Sequence, residues 1–427
     1  MSKELEALVQ QAIAAMNHLR FQDALALWTQ AHMIVPLPSF RIHEAMCWRQ
    51  LGNLERAMAV LKPLLDEPTY PALTAAIAAQ CYWQMDDPAQ ADHYLSEGLR
   101  LLSTEGQNSP QSIETAQELM LAAGMMNQHT TVTKIFRSTP KRSTTVLLYG
   151  ATAYFNRGFF GEARRLWKKL DEELAVAFMA VSKWIIEGIV PPFFLEYDFD
   201  WSPFIKDPTD DAVEEALGER PLSGMVRVQL VYQMLNADNA AHQRWDTAAL
   251  LFDDASPWQE ELGKRLLRAS WIEQPLRKRI LQQLVANGQL AADQPLSWWQ
   301  YGRVSKVTPQ ALQVLTKHQC IDHTEQALNH MLAGREATAL SLLEKAYRWM
   351  PGDAVIGLAL VECLHVLGET QRAKGLFRTL GQYWVGNETF HRDASLVAEF
   401  MDDHSMRRHH IASLSQLRES ALEPNVH

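Results

Sequence analysis

Cysteine is scarce in this chain. Its four copies among 427 residues, Cys47, Cys81, Cys320 and Cys363, stand far apart with no CxxC pair. That excludes a disulfide scaffold and a cysteine zinc knuckle, and it points to a reducing compartment. Long apolar runs are missing as well: no stretch reaches about 18 apolar residues free of charge, so no membrane-spanning helix is expected. The opening residues, MSKELEALVQQAIAAMNHLR, set Glu4 and Glu6 where a secretory signal needs an uninterrupted apolar core. The cytoplasm is the expected location. Positive charge is in deficit, with 40 Lys and Arg against 50 Asp and Glu and a formal charge of −10. Neither nucleic acid nor membrane insertion is the expected mode of partnership.

Catalytic signatures are absent too. The chain has no GxGxxG, GxxxxGK[ST], GxSxG or HExxH. His43–Glu44 lacks the second histidine of a zinc helix, and His391–Arg392–Asp393 lacks both the Asn and the Gly-rich loop that would make it a kinase catalytic segment. His404, His409 and His410 with Asp402 and Asp403 form a dense cluster, but a five-residue step takes His404 and His409 off a common helical face. A solvated helix end is the expectation there. No catalytic residue, cofactor or metal site is predicted.

What is present is apolar material, 47% of the chain, enough for a sizeable core, and a repeat. Ala24, Ala57 and Ala91 follow one another at 33 and 34 residues, each with large side chains at fixed offsets: Trp28; Trp48 and Leu61; Tyr82 and Leu95. The pattern returns as Leu147, Gly150, Ala151, Tyr154, Gly158, Ala163 and Trp167, and again as Ala327, Gly334, Ala339, Leu343, Ala346 and Pro351. Ala373 stands 34 residues after Ala339. Each block divides into two helical patterns of period 3.6 around a short turn. Facing alanines let two antiparallel helices approach, the aromatic or leucine fills the space beside them, and Gly caps the first helix. One hairpin cannot bury its apolar face alone, so neighbours must stack.

Over residues 5–103, 144–177 and 320–385 the chain resembles the tetratricopeptide repeat family. The resemblance implies an all-α solenoid of helix-turn-helix repeats wound as a right-handed superhelix. The match has departures: the large aromatic usual near the start of helix A is replaced by Leu8, Arg41, Ala75, Leu147, His323 and Gly357, and the closing proline survives only at Pro36 and Pro351. Residues 104–140 read as a worn unit with helices near Ile113–Met126 and Thr130–Ser138. Residues 178–319 keep helical periodicity without repeat signatures. Residues 189–211 hold Pro191, Pro192, Pro203 and Pro208 among six aromatics, either a loop packed into the solenoid or, as favoured here, a break between arrays. The expected organisation is an N-terminal array over 1–188, an irregular connecting segment over 189–211, degenerate helical repeats over 212–319, and C-terminal units with capping helices over 320–427.

In such arrays helix A residues turned to the inner face commonly hold a peptide. The corresponding residues are Ile13, Met16, Asn17, Ile42, His43, Met46, Arg49, Gln80, Trp83 and Gln84, an apolar, Met-rich mixture with amides that suits an adaptable groove. The alternative is that another part of the chain fills this groove. Val9 and Ile13 stand where chaperone-tail binders of the family place Lys and Asn, so a carboxylate clamp is not expected. Equivalent places later in the chain hold Tyr149, Thr152, Phe155, Asn156, Glu362 and His365. Cys47, Cys81 and Cys363 read as small core residues, and a redox role is conceivable only for Cys320. Arg164, Arg165, Lys168 and Lys169 read as a solvated helix face. The expected function is a non-enzymatic adaptor, scaffold or chaperone-like protein binding another protein or a peptide segment, of unspecified oligomeric state. The alternatives are a ligand-gated regulator, a structural subunit of a bacterial assembly, or an enzyme with a site in 178–319, where Trp298, Trp299, Tyr301 and Arg303 lie.

Overall fold

The computed structural model describes residues 3–67, 69–104, 110–139, 143–170, 173–197, 223–253 and 255–422. The chain divides into two compact units. The first comprises Met1–Ile186, Pro192–Gly218 and Ser223–Met225; the second comprises Glu187–Pro191, Glu219–Leu222 and Val226–His427.

The first unit is a run of antiparallel helix pairs: α1 (Lys3–Asn17) with α2 (Phe21–Ile34), α3 (Pro38–Gln50) with α4 (Leu54–Leu65), α5 (Ala72–Gln84) with α6 (Pro88–Leu102), α7 (Pro110–Met125) with α8 (His129–Ser138), and α9 (Thr144–Asn156) with α10 (Phe160–Trp167), followed by α11 (Glu173–Ile186). The alanines of the repeat sit where the helices touch: Ala12, Ala24, Ala31, Ala45, Ala57, Ala79, Ala91, Ala151 and Ala163 are all fully buried. Trp28, Leu61 and Trp167 fill the space beside them. Burying side chains of this size contributes roughly 1.5–3 kcal/mol each, and the small residues are what let the helices close around them.

One backbone device recurs at every hairpin turn. The first helix ends in a Schellman cap, with paired bonds such as Asn53 N–H to the Trp48 carbonyl and Gly52 N–H to the Arg49 carbonyl. The same pair of bonds closes the turns at Leu19, Asp86, Asn127 and Gly158 in the first unit and at Gly334, Gly368 and Asp402 in the second, each of these residues having a positive φ. Gly52, Gly158, Gly334 and Gly368 take that conformation without strain. Leu19, Asp86, Asn127 and Asp402 take it because the hairpin demands it.

The second unit begins with helices Val226–Leu235 (the continuation of Gly224–Leu235), Ala241–Leu251, Pro257–Leu267 and Gln274–Ala286. It ends with three further hairpins, Lys317–Leu332 with Glu336–Trp349, Ala354–Val366 with Thr370–Tyr383, and Glu388–Phe400 with His404–Leu422. Their shared core is built on Ala339, Leu343, Ala373, Phe377, Leu380 and Phe390.

Helical periodicity does not extend through residues 178–319. Leu296–Gln300 and Arg303–Val307 form an antiparallel strand pair, with Gln300 opposite Arg303. Leu296 and Trp298 are buried on one face of the first strand, and Tyr301 and Gly302, both at positive φ, make the two-residue turn that a tight hairpin needs. Trp298 is buried with the Arg277 guanidinium over its ring, whereas Tyr301 is 91% exposed at the tip. These side chains do not converge on one site.

Candidate functional site: the helix-A face of the first unit

The ten residues singled out on helices α1, α3 and α5 divide by burial. Ile42 and Met46 belong to the core between the first hairpins. Gln80 and Arg49 are also covered, at 0% and 4% exposure. Ile13, Asn17 and Gln84 are exposed, and Met16, His43 and Trp83 are half-buried. Met16 is partly spent on packing, its sulfur accepting the Trp28 indole N–H at 3.2 Å. The surface that is left centres on Ile13 and His43.

Those two residues line a cavity of about 570 Å³, walled by Val9, Trp28, Phe40, Ile42 and Leu73, with Ser39, Gln111, Glu114 and Thr115 at its polar edge. His43 lies flat on Trp28, ring centroids 4.5 Å apart. Burial lowers its pKa to about 4, so the imidazole is neutral near pH 7. Its Nδ1 finds no hydrogen-bond partner and stands 3.8 Å from Glu114 Oε1. Burial, reinforced by the charge of Glu118, raises the Glu114 carboxyl to about 7. Glu118 is fixed from behind by Gln80, whose Nε2 donates to its Oε2 at 2.8 Å and to its carbonyl at 2.9 Å. Sequence reasoning missed both glutamates because their repeat is worn. Their spacing of four on a helix already expected there was the available signal.

The equivalent places further along behave differently. Tyr149, Thr152 and Phe155 are buried, and Asn156 is turned to a stretch of the chain itself. Residues 192–197 run as a non-helical segment against α7, α8 and α9. The Asn156 amide donates to the Leu195 carbonyl at 2.8 Å, and its oxygen accepts the Leu195 N–H at 2.9 Å. Phe193 meets Phe155 edge-on at 5.5 Å. Tyr197, 2% exposed, has its hydroxyl 3.0 Å from His129 Nδ1. Its ring rests on Gly124, where an added Cβ would come within 2.3 Å of Tyr197 Cγ. Residues 198–211 of the Pro- and aromatic-rich stretch lie outside the described residues.

Elsewhere the candidate features resolve into packing. The four cysteines are free and buried, and burial lifts the thiols of Cys47, Cys81 and Cys320 to about 12. Cys320 is no better placed for redox chemistry than the others, since the thiolate is the reactive form. Among the described residues no group of three or more His, Cys, Asp or Glu is arranged to hold a metal. His404 is exposed, while His410 is buried against His391, Nδ1 to Nδ1 at 2.9 Å. Arg164, Arg165, Lys168 and Lys169 are exposed on α10 and just beyond it. No described helix is long and apolar enough to cross a membrane.

This is an all-α chain of stacked helical hairpins, the α-solenoid class. Residues 330–383 match the tetratricopeptide repeat family model. No curated protein matches the sequence. Solved structures to which it is similar include the APC/C hetero-tetramer Cut9–Hcn1, at 12% identity and a TM-score of 0.29, covering 98% of this chain and 73% of that one. Another is Naa15/Naa10 bound to HypK-THB, at 14% identity and a TM-score of 0.22, covering 98% and 76%.

Proposed function

We propose that the protein is a non-enzymatic adaptor or scaffold whose first unit binds a polypeptide segment of another protein on its helix-A face, at the cavity beside Ile13 and His43. The observation that carries this reading is the chain's own behaviour: on the same series of helices, residues 192–197 are held as a non-helical peptide segment by the two-way Asn156–Leu195 bond and aromatic contacts. Main-chain bonds of this kind provide affinity, and side-chain pockets provide selectivity. The cavity at the α1–α3 end offers apolar walls with a few polar groups, the usual make-up of a binding pocket. Four free, buried thiols are in keeping with a reducing cytoplasmic setting.

Photocrosslinking tests the reading. A photoreactive phenylalanine analogue placed at exposed Ile13 should capture a discrete polypeptide in host cells, and the same analogue at exposed Glu55 on α4 should not. Identical products from both positions, or none from Ile13, would refute it.

A further inference from the structure

The walls of the cavity beside Ile13 are apolar, yet one end is acidic and uncompensated. Glu114 and Glu118 are one helical turn apart on α7, so their carboxylates share a face and repel. Among the described residues lining the cavity there is no lysine or arginine. The nearest candidate for a positive charge, His43, is held neutral by its burial on Trp28. One buried polar atom of the cavity lining, beside the Glu114 carboxylate, also goes without a partner: His43 Nδ1, 3.8 Å from Glu114 Oε1. Buried polar atoms are almost always bonded, so unmet ones beside a cavity mark what is absent from it. An anion would meet like charge there. A purely apolar group would leave the carboxylate desolvated and unpaired, which is costly. A long aliphatic stem ending in a multi-donor cation satisfies both ends.

We propose, building on the peptide-binding reading above, that this cavity receives a lysine or arginine side chain of the bound polypeptide. Its stem lies along Val9, Ile13 and Ile42, and its cationic head sits on Glu114, with Glu118 behind. The apolar stem and charged head of these residues separate in the way the cavity does. The head's additional N–H groups reach His43 Nδ1, which accepts when the ring carries its proton on Nε2. The occupant is therefore a basic segment, the opposite of the acidic tail that a lysine-lined groove would take.

Full-length protein and short acetylated, amidated leucine–alanine peptides test this by fluorescence anisotropy, with lysine, norleucine or glutamate at the central position. A further norleucine peptide carries a free N-terminal amine. The lysine peptide should bind on the order of 10-fold more tightly than the norleucine peptide, a difference of about 1.4 kcal/mol, and the glutamate peptide more weakly than either. Glu114→Gln should erase the lysine preference, weakening the lysine peptide and relieving the cost that the norleucine peptide meets at the carboxylate, with helical circular dichroism unchanged. Equal binding of the lysine and norleucine peptides by the wild type overturns the proposal without needing any variant, and so does a preference that follows the free amine. Both of those results leave the peptide-binding reading standing. Failure of all the peptides to bind removes that reading and this proposal together.

Discussion

At the scale of single residues, the most informative feature is a leucine in the wrong conformation. Leu19 occupies the left-handed seat of the first hairpin at φ 56°, with its side chain 53% exposed. A left-handed non-glycine residue costs roughly 1–2 kcal/mol, and the exposed side chain returns little burial to offset it. Gly52 fills the equivalent seat at φ 75°, with nothing within 4 Å of an added Cβ. The two positions form a matched pair differing chiefly in backbone strain. Leu19→Gly should stabilise the first unit by about 0.5–1 kcal/mol after the extra freedom of glycine in the unfolded chain is subtracted. Gly52→Leu should destabilise it by about 1–2 kcal/mol. Urea midpoints of the two variants measure both. If Leu19→Gly lowers the midpoint, the leucine side chain is making a contribution that its exposure does not reveal.

At the scale of elements, the hairpins were legible because facing alanines and one large neighbour recur at a spacing no strand would use. Their caps were only half legible: Gly52, Gly158, Gly334 and Gly368 announce themselves, whereas Leu19, Asp86, Asn127 and Asp402 reach the same geometry through hydrogen bonds that their residue types do not advertise. The strand pair at 296–307 was hidden because a short apolar run fits helix and strand alike. The docked segment at 192–197 was hidden for a different reason. Its partners, Gly124, His129 and Asn156, lie far away in sequence, and long-range pairing leaves no periodic trace. The cavity was partly legible: Ile13 and His43 followed from helix register, whereas Glu114 sat in a repeat too worn to place. Asn156 gives the docked segment its test. Asn156→Ala leaves the Leu195 N–H and carbonyl unpaired, a cost of roughly 1–3 kcal/mol, and Gly124→Ala drives a methyl into the Tyr197 ring. Either substitution should speed amide hydrogen exchange over residues 192–197 by about 10-fold or more while leaving α1–α4 unchanged. Unaltered exchange in both variants would mean that neither contact holds the segment.

At the scale of the whole molecule, acid is the condition that separates the buried charges of the two units. His43 in the first unit and His410 in the second are both held neutral, with burial lowering each to about 4; for His410 the neighbouring His391 and His409 add to the effect. A histidine depressed in the fold takes up its proton sooner in the unfolded chain, so its contribution to stability is intact above about pH 6.5, falls as pH drops, and is fully lost near pH 4. Glu114 runs the other way. Raised to about 7, it favours the fold in acid and opposes it increasingly as pH climbs from about 4.5 through 7. Between about pH 4.5 and 6.5 the His43 and Glu114 slopes therefore oppose each other within the first unit. His410 presents a different balance. Its Nδ1 faces His391 Nδ1, and His391 Nε2 donates to the Val385 carbonyl at 3.2 Å, so His410 is the donor of the pair. A second proton on His410 goes to Nε2, so acid places a buried charge beside His391 and His409 and loosens the final helix. Lowering pH from 7 to 4.5 should cost the second unit about 2 kcal/mol after allowance for solvent screening. His410→Asn, whose amide can donate without titrating, should flatten that dependence, while Glu114→Gln should leave the second unit untouched and steepen the acid response of the first. Hydrogen exchange followed across this pH range resolves the units separately. If the His410→Asn protein shows the same loss in helices Glu388–Phe400 and His404–Leu422 as the wild type, the histidine pair is not the acid-sensitive element.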